Sequence, residues 1–250
     1  MEERLVPLEG CLNFRDLGGW RTSDGRRIRS GRLFRSDALQ RVTPADVKRL
    51  RDAIGLQTLV DLRSSHEVAR EGRGPLELLP IAYHHLPFFD GPERDPGRNG
   101  LPNLAAIYLA MLRFAREPIA RALDALAASP GAAVFHCAAG KDRTGVLSAV
   151  VLGVAGVGDD DIVEDYAYTR HALPKIVERL RASEAYQYVF TELPPDTLHA
   201  EPATMETLLA SVRREWGSLR DYALWAGATP ATLDQLAASL VAIDGTKDSI

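Results

Sequence analysis

The chain has 250 residues, 46% hydrophobic and 26% charged, which is enough apolar side chain for a substantial core and excludes compositional disorder. Its 30 Lys and Arg against 34 Asp and Glu give a formal net charge of -4, which argues against a general nucleic-acid or polybasic membrane binder and leaves any anion site to be local. Cys11 and Cys137 imply no disulfide framework, Met1-Glu2-Glu3-Arg4-Leu5 has no apolar signal core, and the longest apolar run, 146–157, is too short to span a bilayer, so the cytoplasm is the expected location, with secretion by a route without a cleaved signal left open.

Residues 11–37 alternate short apolar pieces with glycine and arginine, as in Leu17-Gly18-Gly19-Trp20, and predict hairpin-like strands. Arg15, Asp16 and Arg35 fall on them, where charges of a small β unit commonly pair at the surface. Cys11 reads as a small buried hydrophobe, with a reversible disulfide to Cys137 as the minor alternative. Thr43-Pro44-Ala45-Asp46 is a helix start, with Thr43 as N-cap, and Val47, Leu50 and Ile54 supply an apolar stripe that ends at Gly55. Thr58-Leu59-Val60-Asp61-Leu62 follows as a short buried strand. Its polar exit, 63–67, lies at the edge where open α/β sheets bind ligands. Asp61 and Arg63 are therefore candidates for positioning a functional loop, unless they merely pair with each other. His66 reads as a solvated loop residue.

Residues 83–88 predict another strand, with His84 and His85 on opposite faces, and 90–100 a polar loop. No cysteine or carboxylate with ligand spacing accompanies the two histidines, so no metal is expected. Leu104, Ile107, Tyr108, Met111 and Leu112 form a helical stripe, and a second helix runs over about 118–128. Ser129-Pro130-Gly131 then turns the chain into the apolar strand Ala132-Ala133-Val134-Phe135. Beyond His136-Cys137-Ala138-Ala139-Gly140-Lys141-Asp142-Arg143-Thr144-Gly145, residues 146–152 are apolar all round, which predicts a central buried helix. Gly158-Asp159-Asp160-Asp161 caps the next helix, and capping rather than cation binding accounts for the three aspartates. The apolar, aromatic segment 172–200 either packs on the body or forms a helical lid above a pocket. Residues 201–244 read as C-terminal helices packed on the core, with Met205, Leu208, Leu209, Val212 and Trp216 as one stripe and Thr229-Pro230 opening the last helix; 245–250 read as a frayed tail. The expected fold is α/β: a central twisted, mainly parallel sheet flanked by helices, in a single domain over 1–250.

The stretch from His136 to the helix carries the chemistry. Five residues separate Cys137 from Arg143, and a loop of that length can gather its backbone N–H groups over a helix N-terminus as an anion cradle. The helix end, Lys141 and Arg143 would favour the thiolate of Cys137, and a phosphate held by the N–H groups of Ala138, Ala139, Gly140, Lys141, Asp142 and Arg143 would face its sulfur. The expected product is a phosphocysteine. His136 would hold the surroundings of the sulfur, and the Thr144 hydroxyl could donate to it. Lys141 either helps with the same phosphate or offers a point charge to a second anion, as in a phosphoinositide or an acidic phosphopeptide. A carboxyl must protonate the leaving group and then activate water, and Asp142, Asp90 and Asp61 are the three candidates.

His136-Cys137-x5-Arg143-Thr144-Gly145 resembles the signature of cysteine-dependent phosphatases, and with Gly140-Lys141-Asp142 it is similar to the bacterial tyrosine-protein phosphatases that include secreted mycobacterial and listerial enzymes. Asn13-Phe14-Arg15-Asp16-Leu17-Gly18-Gly19, Gly31-Arg32-Leu33-Phe34-Arg35-Ser36-Asp37 and Val60-Asp61-Leu62-Arg63-Ser64 agree with it over the first ~170 residues, and Trp216-Gly217-Ser218 and Tyr222 form a weaker echo. The resemblance implies a phosphatase acting on phosphotyrosine, with phosphoserine, phosphothreonine and phosphoinositides as further substrate classes. It favours Asp142 as the general acid, with Asp90 as runner-up, and places Arg15 and Asp16 around the catalytic loop as support. The competing readings are a phosphoinositide phosphatase, a non-catalytic phosphate-binding module of the same fold, and a sulfur-transfer or arsenate-reducing enzyme.

Overall fold

A computed structural model describes residues 2–90, 101–187, 190 and 195–242. Five strands, β1 (Arg15–Asp16), β2 (Leu33–Ser36), β3 (Leu56–Asp61), β4 (Ala82–His85) and β5 (Ala132–His136), form one sheet in the order β1-β2-β5-β3-β4. Only β1 runs antiparallel, against β2; the other neighbours are parallel. The central β5 is buried along its whole length, in keeping with its apolar run Ala132–Phe135.

Alternation along the strands divides two cores. Leu33, Val60, Ala133 and Phe135 face one apolar cluster, while Phe34, Leu59, Ala132 and Val134 face the other. The smaller cluster is covered by α1 (Pro44–Lys48) and the π-helical turn Arg49–Ala53, which supply Leu50. Thr43 closes the expected capping box with Asp46. The larger cluster is built from α3 (Leu104–Phe114), α4 (Arg116–Ala127), α5 (Asp142–Val154) and α6 (Asp159–Tyr168), with α8 (Pro202–Trp216), α9 (Leu219–Ala226) and α10 (Pro230–Leu240) outside them. Helix α5 is buried from Arg143 through Leu152, in keeping with its apolar circumference.

The remaining helices, α2 (Ser65–Glu71) and α7 (Leu173–Arg181), stand at the C-terminal end of the parallel strands. His66 is exposed, but it sits in α2 rather than in a loop, because Ser64 and Glu67 form a capping box that starts a helix there. The tail expected at 245–250 and the loop expected over 91–100 lie outside the described residues. Among the described residues no helix is long and apolar enough to cross a membrane.

Candidate active site

Register places Ser36, His136, Asp61 and His85 in one row across the C-terminal edge of the sheet. Cys137 follows His136 directly, and α5 begins at Asp142, so the chain passes from strand to helix in the intervening loop. That loop is gripped from behind. Ala38 N–H donates to the Ala138 carbonyl at 3.1 Å, and the Gly140 carbonyl accepts from Arg35 Nη2 at 2.7 Å and Asn13 Nδ2 at 3.2 Å. All peptides here are trans, so the N–H groups of Ala139 and Lys141 are turned away from those anchored carbonyls. Gly140 has φ +65°, and a Cβ there would come within 2.5 Å of the Ser36 carbonyl oxygen and the Asp37 nitrogen. The close approach of β2 therefore requires glycine.

Arg15 and Arg35 are fully buried and do not pair at the surface. They share the Asp165 carboxylate from α6: Arg15 Nε donates at 3.0 Å, and Arg35 Nη1 pairs with its other oxygen. Two buried guanidiniums need such an anion. Burial opposes ionisation of Asp165, but the two arginines hold its carboxyl below the usual range. Burial also lowers Arg15, to about 10, which still leaves it charged at neutral pH. Asp16, its expected companion, accepts instead from Gly18 and Gly31 N–H and braces a turn away from the loop. Cys11 is buried and lies 3.7 Å from the Ala38 carbonyl; burial first, then Asp37, pushes its thiol up.

The sulfur of Cys137 accepts from the Thr144 hydroxyl at 3.1 Å. Arg143 is held by Glu67 of α2 through two bonds, Nη1 to Oε2 at 2.5 Å and Nη2 to Oε1 at 2.9 Å. Burial would raise Glu67, yet Arg143 and Ser64 together keep it below the ordinary carboxylate range. Glu67 is a site residue that reads from sequence only as part of the polar exit after β3; its spacing from Ser64 is the capping-box signal that could have marked a helix there. Its partner could be named only once α2 was seen above the loop.

Asp61 and Arg63 do pair with each other, at 2.6 Å, and Arg63 also reaches Gln40 and the Gly72 carbonyl. His136 Nε2 stands 3.6 Å from Asp61 Oδ2. Burial lowers His136 to about 4, so it is neutral at pH 7. Burial pushes the Asp61 carboxyl up while His136 and Arg63 draw it below its usual range, and with His136 neutral Arg63 is the partner that counts at pH 7.

The loop opens into a solvent-connected pocket of about 720 Å³. It is lined by Cys137, Ala138, Ala139, Lys141, Asp142 and Arg143 of the loop, by Tyr186 and Thr197, and by the apolar side chains of Phe89, Leu104, Ile107, Met111, Leu173, Val177, Leu180 and Leu198. Phe89 lies 5.3 Å from the Arg143 guanidinium. Of the three carboxyls considered as acid, Asp142 alone is among the pocket's lining residues. Asp61 is buried among its partners, and Asp90 accepts from Ser65 N–H at 2.9 Å and its hydroxyl at 3.0 Å, at the start of α2.

Lys141 departs most from expectation. Its ammonium, buried and close to Asp142 Oδ1 at 2.9 Å, donates to the carbonyls of Thr197 at 2.6 Å and His199 at 2.9 Å. Lys141 nonetheless lines the pocket beside Asp142. Among the described residues no three His, Cys, Asp or Glu side chains are grouped to hold a metal ion.

Strand, gripped loop and buried helix, with a cysteine and an arginine in one pocket, form the arrangement of a cysteine-dependent phosphatase. The model of the tyrosine phosphatase family matches residues 6–242, and the chain belongs to that family. It is 32% identical to the triple specificity protein phosphatase PtpB of Mycobacterium tuberculosis, over 92% of this chain and 96% of that one. A tyrosine-protein phosphatase of Nostoc commune is 28% identical, over 82% of this chain and 72% of its own length.

Proposed function

We propose that the chain hydrolyses phosphoric monoesters, phosphotyrosine foremost, through a phosphocysteine formed on Cys137. The observation that carries this reading is the single pocket lined by Cys137, Asp142 and Arg143 together with apolar side chains. The phosphate would sit on the loop N–H groups and the first turn of α5, where helix-end donors favour an anion. Arg143, its plane fixed by Glu67, would stabilise the charge of the equatorial oxygens in the transition state. The sulfur, which accepts the hydrogen bond of the Thr144 hydroxyl, attacks phosphorus as the ester bond breaks. Asp142 gives its proton to the leaving oxygen, then takes one from the water that releases phosphate from sulfur.

The apolar lining suits a flat aryl group. Phe89 beside Arg143 offers a ring face, and Leu104, Ile107 and Leu180 offer aliphatic contact. A phosphoinositide would bring further phosphates needing cations, and the Lys141 ammonium is engaged with two carbonyls. Leu173, Val177, Leu180, Tyr186 and Leu198, from the described residues of 172–200, line the pocket, and on this reading they belong to a lid that closes over bound substrate. The reducing cytoplasm, in which Cys137 stays a thiol, is the proposed place of action.

The test is release of phosphate from p-nitrophenyl phosphate, phosphotyrosine, phosphoserine and phosphothreonine peptides, and short-chain phosphoinositides, without added metal. Vanadate-sensitive turnover, highest on phosphotyrosine and lost in Cys137→Ser, is expected. Phosphopeptide binding with no turnover would favour the binding module, and higher rates on phosphoinositides would overturn the substrate assignment.

A further inference from the structure

Two buried hydroxyls adjoin the proposed acid and have no part in the reaction as described. Tyr108, on α3, is fully buried, and its hydroxyl donates to Asp142 Oδ1 at 2.6 Å. The same hydroxyl lies 2.9 Å from that of Tyr166 on α6. The two rings meet edge to face, with centroids 5.9 Å apart. Tyr166 is itself fixed by close packing: a Cβ on Gly145 would come 3.0 Å from its Cδ2. From sequence Tyr108 reads only as one member of an apolar helix stripe.

The direction of the hydrogen bonds follows from the proton count. A phenol has one proton, and Oδ1 of Asp142 accepts it from Tyr108, as the carbonyl oxygen of a carboxyl protonated on Oδ2 just as in a carboxylate. Tyr108 therefore spends its proton on Asp142, and Tyr166 must be the donor in the bond between the phenols. Burial pushes the Tyr108 phenol well above its ordinary range, with Asp142 and Tyr166 adding to the rise, so it keeps that proton throughout the working pH range. The charged and titratable groups around the carboxyl are Tyr108 from α3, Tyr166 from α6, and Lys141 and Arg143 beside it in the chain. Lys141 Nζ approaches the same oxygen, Oδ1, at 2.9 Å. Both donors thus meet one oxygen of Asp142.

We propose that Tyr108, backed by Tyr166, is the positioning residue of the general acid: holding Oδ1 fixes the carboxyl plane and leaves Oδ2 to transfer the proton. This rests on the reading of Asp142 as that acid. In the first step the S–P bond forms while the bond from phosphorus to the leaving oxygen breaks, and the Oδ2 proton passes to that oxygen. In the second, water oxygen bonds to phosphorus, the P–S bond breaks, and Oδ2 takes the water proton. Oδ1 stays on Tyr108 through both, so the carboxyl need not turn between them.

The test compares kcat on phenyl phosphate, whose leaving group needs a proton, with kcat on p-nitrophenyl phosphate, whose leaving group needs it less. Asp142→Asn should shift the ratio of the two by ~100-fold, the scale of a lost general acid. Tyr108→Phe should shift it in the same direction by ~10-fold, as expected for one hydrogen bond to a charged group, and Tyr166→Phe by a smaller factor. Thermal unfolding of each variant reports whether it folds, and Tyr166→Phe, which spares the contact with Asp142, carries the test if Tyr108→Phe does not fold. A ratio unchanged in the tyrosine variants but shifted in Asp142→Asn overturns the inference and leaves the acid assignment intact. An unchanged ratio in Asp142→Asn overturns the acid assignment, and the inference with it.

Discussion

Arg143 illustrates how a residue readable in sequence depends on one that is not. A guanidinium can meet an oxyanion along more than one edge, and Glu67 decides which by taking Nη1 and Nη2 together. Glu67→Gln keeps the size of the side chain but removes its charge and one acceptor oxygen. It should lower kcat/KM on aryl phosphates by at least ~10-fold, because a misplaced transition-state contact typically costs more than 1.4 kcal/mol. Steady-state kinetics beside a thermal melt would check this, and a melt that falls without loss of kcat/KM would refute it. Lys141 shows the same limit from the other side. Its place in the loop is plain in sequence, but its partners are the carbonyls of Thr197 and His199, more than fifty residues away, and no local pattern encodes them.

At the scale of elements, the loop from Cys137 to Arg143 is a strand-to-helix connection whose shape is imposed by neighbours. The carbonyls of Ala138 and Gly140 are held by Ala38, Arg35 and Asn13, all from the N-terminal third of the chain. Gly140 allows β2 to come within contact of the loop. Gly140→Ala would require φ +65° of an alanine and press its methyl against the backbone of Ser36 and Asp37. The loop must shift, and a displacement near 1 Å at a reacting centre costs on the order of 10²-fold in rate. The expected outcome is a loss of kcat/KM on that order with a folded far-UV spectrum; wild-type kinetics would show that the glycine does not set the loop.

For the whole molecule, the larger apolar cluster draws on residues from Leu17 to Val241. Its stability carries a pH signature from the sheet edge. Burial lowers His136 from 6.5 to about 4 in the fold, so between those values the unfolded chain takes up a proton that the native state refuses. The contribution of His136 is fully present above pH 6.5 and is lost as pH falls towards 4. Burial lifts Asp37 to about 6, and the donors from Leu12 and Asn13 only partly offset it. Its effect in this window has the opposite sign and cancels when two proteins that both carry it are compared. Between pH 7.5 and pH 5 the wild type should lose about 2 kcal/mol more stability than His136→Gln, as read from urea unfolding. Equal losses would mean that His136 titrates normally in the fold.

Local chemistry made the linear features of the chain legible. Period and apolar runs gave β3, β5, α3 and α5, capping residues gave the starts of α1 and α10, and the spacing of Cys137 and Arg143 gave the loop proposed to hold phosphate. Each of these depends on residues within a few positions of one another. Charge pairing across the fold was beyond reach. Arg15 and Arg35 call for a buried anion, but nothing in the sequence selects Asp165 among 34 acidic residues, as nothing selects Glu67 for Arg143 or Tyr108 for Asp142. Those partners are fixed by which helices the sheet order brings together, and that is decided by packing over the whole chain rather than by any stretch of it.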